Sequence, residues 1–326
     1  ERFAEALRAL RDVTVALHVI GTYDASSAPA RPRREPGVVV DQSPAVTPKP
    51  AKSSNSPKAS RQDANVRSRV MVGDVVVGDG NFVVIGGPCS VESREQIIAT
   101  AESVSHSGAV MLRGGAFKPR TSPYAFQGLG WEGVALLAEA GRATGLPVVS
   151  EVMSVEQVER MSASVDLLQI GARNMQNFDL LKAVGKTQRP ILLKRGMAAS
   201  IDELLSAAEY ILAEGNPNVI LCERGIRTFE TSTRNTLDLS AVPVLRERTH
   251  LPVLVDPSHG VGVRRWIVPL CRAAKAVGAH GLLIEVHPNP SEAKCDADQA
   301  LTFGDFAELM EELSRIPQFA PPPLVR

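Results

Sequence analysis

The sequence predicts an α/β fold, a (β/α)8 TIM barrel preceded by an N-terminal helix and a disordered linker. Three observations lead there. From about residue 70, short apolar runs alternate with amphipathic stretches in a strand-helix rhythm. Eight such units fit into about 245 residues, the size of a closed parallel barrel, with a doubly wound open sheet as the runner-up. Ahead of them, residues 24–68 hold seven of the 23 prolines and no aromatic residue, Leu, Ile or Met. That composition cannot bury enough apolar surface to offset the entropy of ordering.

In chain order, Phe3, Leu7, Leu10, Val13 and Leu17 recur at spacings of three and four, so residues 1–23 are expected to carry an amphipathic helix. The chain opens with Glu1 rather than Met and is read as a processed product or a fragment. Residues 24–68 are the expected linker, 69–316 the catalytic barrel and 317–326 a Pro-rich tail. Val70 to Val77, around Gly73-Asp74, read as a hairpin plugging the barrel's lower end. The expected strands are Phe82 to Ile85, Val110 to Arg113, Pro147 to Glu151, Leu167 to Ile170, Pro190 to Lys194, Val219 to Glu223, Pro252 to Asp256 and Gly281 to Val286. Ser93 with Gln96, and Ser200 with Glu203, read as capping boxes that start helices.

Lys plus Arg and Asp plus Glu each number 36, so no global field draws the chain to nucleic acid or to an anionic membrane. No run of about 18 apolar residues occurs, and the first residues lack the cationic start and continuous apolar stretch of a secretory signal, so a cytoplasmic protein is expected. The four cysteines, Cys89, Cys222, Cys271 and Cys295, form no CxxC pair, which argues against a disulfide scaffold or a zinc ribbon.

In a barrel the residues following each strand share one mouth. Cys89, His259, Glu285 and Asp296 all lie at such ends and could converge as a thiolate, an imidazole and two carboxylates, a set suited to a divalent transition metal. Spacing alone leaves open the blander reading of a small buried thiol and three loop polars. His287 is a competing ligand candidate two residues beyond Glu285. Arg113, Lys118, Arg120, Arg173, Lys194 and Arg224 also gather at strand ends, in a chain of zero net charge. A cationic mouth calls for phosphate or carboxylate ligands. The alternative is rim ion pairing with Glu151, Glu223 or Asp256.

The segments GPCSVES, LRGGAFKPRTSPYAFQGLG, QIGARNMQNF, LLKRGM, CERGIRTFE and DPSHGVG resemble 3-deoxy-D-arabino-heptulosonate 7-phosphate (DAHP) synthase in its short microbial class I form, of beta type, over residues 80–315. The resemblance implies the barrel and a condensation of phosphoenolpyruvate with erythrose 4-phosphate that releases phosphate, the first step of the shikimate pathway. It implies a divalent metal (Mn2+, Fe2+, Co2+ or Zn2+) on Cys89, His259, Glu285 and Asp296. It places phosphoenolpyruvate on Arg113, Lys118, Arg173, Lys194 and Arg224, near the backbone of Glu151, and erythrose 4-phosphate on Lys118, Pro119, Arg120 and Thr121. Lys118 is the candidate proton donor to the new alkoxide, with Cys89 and His259 acting through the metal. A homo-oligomer, dimer or tetramer, is expected, with no nucleic-acid or membrane partner. Residues 1–68 resemble neither the ferredoxin-like regulatory domain nor the fused chorismate mutase that short-form relatives often carry.

Two other enzymes compete. 3-Deoxy-D-manno-octulosonate 8-phosphate synthase, which uses arabinose 5-phosphate, prefers Lys-Ala-Asn-Arg where this chain has Lys118-Pro119-Arg120-Thr121. A Schiff-base aldolase would use Lys194 at its strand end and would ignore chelators.

Overall fold

A computed structural model describes residues 56–63, 66–120 and 122–317. The expected N-terminal helix, most of the linker, Thr121 and the tail beyond residue 317 lie outside the described residues.

Eight strands close into a parallel barrel in the order β10-β3-β4-β5-β6-β7-β8-β9. They are β3 (Val83–Gly87), β4 (Met111–Arg113), β5 (Val148–Glu151), β6 (Leu167–Ile170), β7 (Ile191–Lys194), β8 (Val219–Glu223), β9 (Val253–Val255) and β10 (Gly281–Glu285). The TIM barrel expectation is met. Every residue of these strands is buried, which is why they appear in sequence as unbroken apolar runs rather than alternating ones. A helix follows each strand, from Arg94–His106 after β3 to Phe303–Arg315 after β10.

Below the barrel, β1 (Val70–Val72) and β2 (Val75–Val77) form the expected hairpin. Val70, Val72 and Val77 pack with Val83, Ile85, Met111, Leu192 and Leu254 in the barrel interior. Each fully buried side chain of this size contributes about 1.5–3 kcal/mol, so the plug is part of the core and chemistry is left to the upper end.

Five expected strand starts, Phe82, Val110, Pro147, Pro190 and Pro252, shift by one residue. Pro147, Pro190 and Pro252 have no N–H to give a ladder, yet their carbonyls accept from Leu112 N (2.9 Å), Leu168 N (3.0 Å) and Leu221 N (2.9 Å). Ser200 and Glu203 form a full capping box. Ser93 caps its helix through Gln96 N, but the Gln96 side chain turns away to Glu92 N and the carbonyl of Ser90, so that box is half formed.

The end of the expected linker is not structureless. Glu209 accepts from Lys58 N at 3.1 Å and Ala59 N at 2.7 Å, Arg61 N donates to the carbonyl of Arg248 at 2.8 Å, and Ala59 is fully buried. Its composition cannot support a core of its own, but here the barrel supplies the partners.

Candidate active site

At the end of β3 the chain passes so close to β4 that a Cβ on Gly87 would lie 2.1 Å from the carbonyl oxygen of Arg113. Glycine removes that clash and accepts the positive φ of 148°. The loop then turns Cys89 inward. Asp256 caps the short helix Pro257–Val261 by accepting from His259 N at 3.0 Å, with Pro257 preset for its first turn. That cap fixes His259 over the mouth. Glu285 ends β10, its N–H donating to Ser258 Oγ at 3.0 Å. Asp296 sits in the following loop at φ 53°, a left-handed conformation that Asp tolerates better than most residues.

Cys89, His259, Glu285 and Asp296 converge, with one ligand atom from each within 4.8 Å of all the others. His259 Nε2 is 3.1 Å from Glu285 Oε1 and 3.8 Å from Asp296 Oδ2, while Cys89 Sγ is 3.2 Å from Asp296 Oδ2. His287 is not in the group; its Nε2 lies 3.5 Å from Glu92 Oε2 instead.

The donor set fits a cation on one further ground. Burial holds the His259 pKa down against the pull of Asp256 and Glu285, so the ring carries one proton at neutral pH. Both ring nitrogens nevertheless face carboxylate oxygens, Nδ1 at 2.7 Å from Asp256 and Nε2 at 3.1 Å from Glu285. One of the two contacts is therefore lone pair against lone pair, and a positive ion on the Nε2 side would relieve it. Burial raises both carboxyl pKa values. His259 and Arg113 outweigh it at Glu285, and His259 and Arg234 do so at Asp296, so both are carboxylates ready to bind. The contact with Cys295, burial and the charge of Glu285 push the Cys89 thiol up, against Lys118 alone.

Above this group lies a cavity of about 360 Å³. Its wall includes Arg113, Lys118, Arg120, Glu151, Arg173, Lys194 and Arg224, every cation expected at the mouth, together with His259 and Asp296. Cys89 and Glu285 lie behind the wall and are buried. Thr121 falls outside the described residues.

Rim pairing accounts for only part of the charge. Arg113 Nη1 donates to Glu285 at 2.8 Å and Lys194 Nζ to Asp256 at 2.5 Å. Glu223 is taken by Arg195 at 2.9 Å, and Glu151 accepts from Gln169 Nε2 at 3.3 Å. Arg224 keeps a buried Nη1 with no hydrogen-bond partner among the described residues. Lys118 Nζ donates to Cys89 Sγ at 3.1 Å and to its carbonyl at 3.0 Å. Burial works against the Lys118 charge, but the neighbouring sulfurs outweigh it and hold the ammonium protonated.

Two residues that the sequence reading missed join the site. Gln299 donates to Glu285 Oε2 at 2.5 Å and accepts from Arg234 Nη1 at 2.8 Å. Arg234 also pairs with Asp296 Oδ1 at 3.0 Å and lines the cavity. Neither follows a strand directly, so the rule that located the others passes over them.

The family model for the DAHP synthetase I family matches residues 52–318. The chain belongs to that family. It is 53% identical over 245 residues to the phospho-2-dehydro-3-deoxyheptonate aldolase of Thermotoga maritima, covering 75% of this chain and 72% of that one. The crystal structure of a DAHP synthase from Thermotoga maritima superposes with a TM-score of 0.77 at 51% identity, covering 79% of this chain and 75% of the other. A 2-dehydro-3-deoxyphosphooctonate aldolase of Syntrophobacter fumaroxidans is 32% identical over 255 residues, covering 73% of this chain and 88% of its own length. Among the described residues, no helix is long and apolar enough to cross a membrane.

Proposed function

We infer that the chain is a DAHP synthase, condensing phosphoenolpyruvate with erythrose 4-phosphate and water to give DAHP and phosphate. The observation that carries this reading is one shared mouth that combines a mixed S, N, O, O ligand set with a wall of guanidinium and ammonium groups.

The residue roles are assigned as the resemblance implies, and the residues of the cavity wall support them. Arg173 and Arg224 hold the phosphate of phosphoenolpyruvate. Arg224 comes with a desolvated donor already lacking a partner, which a phosphate oxygen would fill. Arg113 and Lys194 face its carboxylate while each remains anchored to a buried acid, so both are oriented before substrate arrives. The backbone at Glu151 lies on the same wall. Arg120 and Thr121 take the phosphate of erythrose 4-phosphate. Cys89, His259, Glu285 and Asp296 hold a divalent ion, and thiolate with imidazole favours manganese, iron, cobalt or zinc over magnesium. When bound, that ion supplies Lewis-acid stabilisation of the negative charge that develops on the aldehyde oxygen. Lys118 delivers a proton to the new alkoxide, since its side chain lines the cavity and its ammonium is held in place by Cys89.

The rival enzymes are weaker readings. The 2-dehydro-3-deoxyphosphooctonate aldolases are 31% to 34% identical, against 53% for the heptonate enzyme. A Schiff base on Lys194 needs a free amine, whereas Lys194 Nζ is held 2.5 Å from the buried carboxylate of Asp256. A coupled assay with phosphoenolpyruvate and each aldose phosphate, with and without chelator, tests all three. Turnover with erythrose 4-phosphate that chelator stops is expected; preference for arabinose 5-phosphate, or turnover that ignores chelator, would overturn the reading.

A further inference from the structure

His287 follows β10 two residues beyond Glu285 and yet takes no part in the ligand group. Asn289 N donates to its Nδ1 at 3.1 Å, so the ring proton sits on Nε2. That nitrogen is buried with no hydrogen-bond partner among the described residues, and Glu92 Oε2 lies 3.5 Å from it. Glu92 belongs to the GPCSVES segment, of which the ligand group uses Cys89 alone. The Glu92 side chain is only 8% exposed, so its carboxylate needs partners inside the protein.

From His287 to Leu301 the chain makes an excursion from the barrel. His287 N donates to the carbonyl of Leu301 at 2.9 Å and Leu301 N to that of Glu285 at 2.8 Å, which closes the two ends. Between them lies one short helical turn, Pro290–Glu292. Asp296 therefore reaches the ligand group from irregular backbone. Its φ of 53° is a conformation that a residue other than glycine keeps only where the surroundings fix it. Arg234, in the loop after β8, holds the Asp296 carboxylate. The backbone beside Asp296 is held by Glu92, whose Oε1 accepts from Lys294 N at 2.9 Å and from Ser90 Oγ at 3.1 Å. Ser90 Oγ in turn lies 3.0 Å from Cys295 Sγ.

One carboxylate thus touches the entry of the excursion at His287, the residue two before Asp296, and the residue after Cys89. Burial raises the Glu92 pKa, but His287, Lys294 N and Ser90 outweigh it, so Glu92 is an acceptor toward all three. None of these contacts is to a ligand. The backbone ladder cannot do the same work. β3 and β10 pair as far as Gly87 opposite Glu285, which fixes Glu285 against the strand that leads to Cys89, and the ladder stops there.

We propose that Glu92 is the positioning residue of Asp296: its carboxylate takes over where the ladder between β3 and β10 ends and sets the excursion against the loop of Cys89, so that an ion meets four ligands instead of three. His287 is spent as a donor beside this acceptor, which accounts for a histidine that stands next to the ligand group without joining it. The inference rests on the metal reading of the site and is independent of the choice of aldose.

The test is Co2+ binding by the full-length chain, read by competition with a chelator in the absence of substrate. Glu92→Leu is expected to weaken cobalt binding roughly 10–100-fold, the usual cost of losing a group that orients a ligand. General loosening of the fold would also weaken it, so the deciding measurement is a cycle with Asp296→Ala. Once Asp296 is gone its placement no longer matters. Glu92→Leu is then expected to change the affinity of the Asp296→Ala protein by no more than about twofold. The same fold-loss in both backgrounds overturns the proposal. Should Glu92→Leu fail to fold, Glu92→Asp, which keeps the charge and draws the carboxylate back by one methylene, goes through the same cycle with a smaller loss expected and the same result refuting it. A parent that takes up no cobalt would overturn the ligand reading and this inference with it, whereas a parent that binds cobalt no better than Glu92→Leu overturns this inference alone.

Discussion

Asp256 does two jobs that one substitution separates from ordinary stability. Its carboxylate is fully buried, accepts from Lys194 Nζ at 2.5 Å, and faces His259 Nδ1 at 2.7 Å while capping the helix on which His259 sits. Asp256→Asn keeps the shape and one acceptor but removes the charge. Losing one partner of a buried ion pair costs about 3–5 kcal/mol of stability. Weakening the group that orients a metal-ligating imidazole costs roughly 10–100-fold in metal affinity, or ~1.4–2.7 kcal/mol. The first loss alone would say nothing about the metal. Glu223→Gln supplies the control, since Glu223 is equally buried, pairs with Arg195 at 2.9 Å, and contacts none of the four proposed ligands. Thermal unfolding of metal-free protein is expected to show both variants destabilised. Titration in chelator-buffered metal is expected to show weaker binding for Asp256→Asn only. Equal metal affinity in the two variants would refute the argument that Asp256 acts through His259.

Other outcomes follow from the same contacts. Cys89→Ala is expected to abolish metal-dependent turnover while the far-ultraviolet circular dichroism stays that of the folded barrel; full activity in metal-replete assay contradicts the ligand assignment. Metal uptake near pH 7.5 is expected to release about one proton, from Cys89, whose thiol is held up while Glu285 and Asp296 are already ionised; a pH-stat reading near zero removes Cys89 from the set. Burial and the charge of Arg246 take His280 from 6.5 to about 4, so its contribution is fully present above pH 6.5 and is lost as pH falls toward 4, amounting to ~3 kcal/mol. Denaturant unfolding of His280→Asn across that window is expected to show a shallower acid loss than the parent, and parallel profiles would show that His280 does not cause it. Gln299→Leu leaves Glu285 Oε2 without its donor and is expected to weaken metal binding roughly tenfold; unchanged affinity in a chelator competition would show that Gln299 has no part in holding Glu285.

The barrel was legible because strands buried on both faces write long apolar runs, and because each is followed by a helix with recognisable start signals. The ligand set was legible only as a set of strand ends. Nothing in the spacing of Cys89 and Asp296 says that their side chains meet, and it is barrel closure that brings residues 207 positions apart to 3.2 Å. Gln299 and Arg234 were illegible because they come from irregular loops and act on ligands rather than as ligands. The attachment of residues 56–63, at the end of the expected linker, was illegible for a different reason. Composition measures whether a stretch can hold itself together, whereas Ala59 and Arg61 are held by Glu209, Thr249 and the carbonyl of Arg248.

The charge arrangement at the mouth explains how a neutral chain can concentrate so many cations in one place. Each carboxylate around the ligand group is shared with a cation on the cavity wall: Glu285 with Arg113, Asp296 with Arg234, Asp256 with Lys194. In the metal-free protein these acids are the counterions that let the wall fold. A divalent ion held by Glu285 would compete with Arg113 for Oε1, the oxygen that also faces His259, whereas at Asp296 Arg234 sits on Oδ1 and leaves Oδ2 facing Cys89 and His259. Charge withdrawn from Arg113 in this way would become available to an anion in the cavity, so metal and anion binding would be linked through that one oxygen, and such coupling is reciprocal.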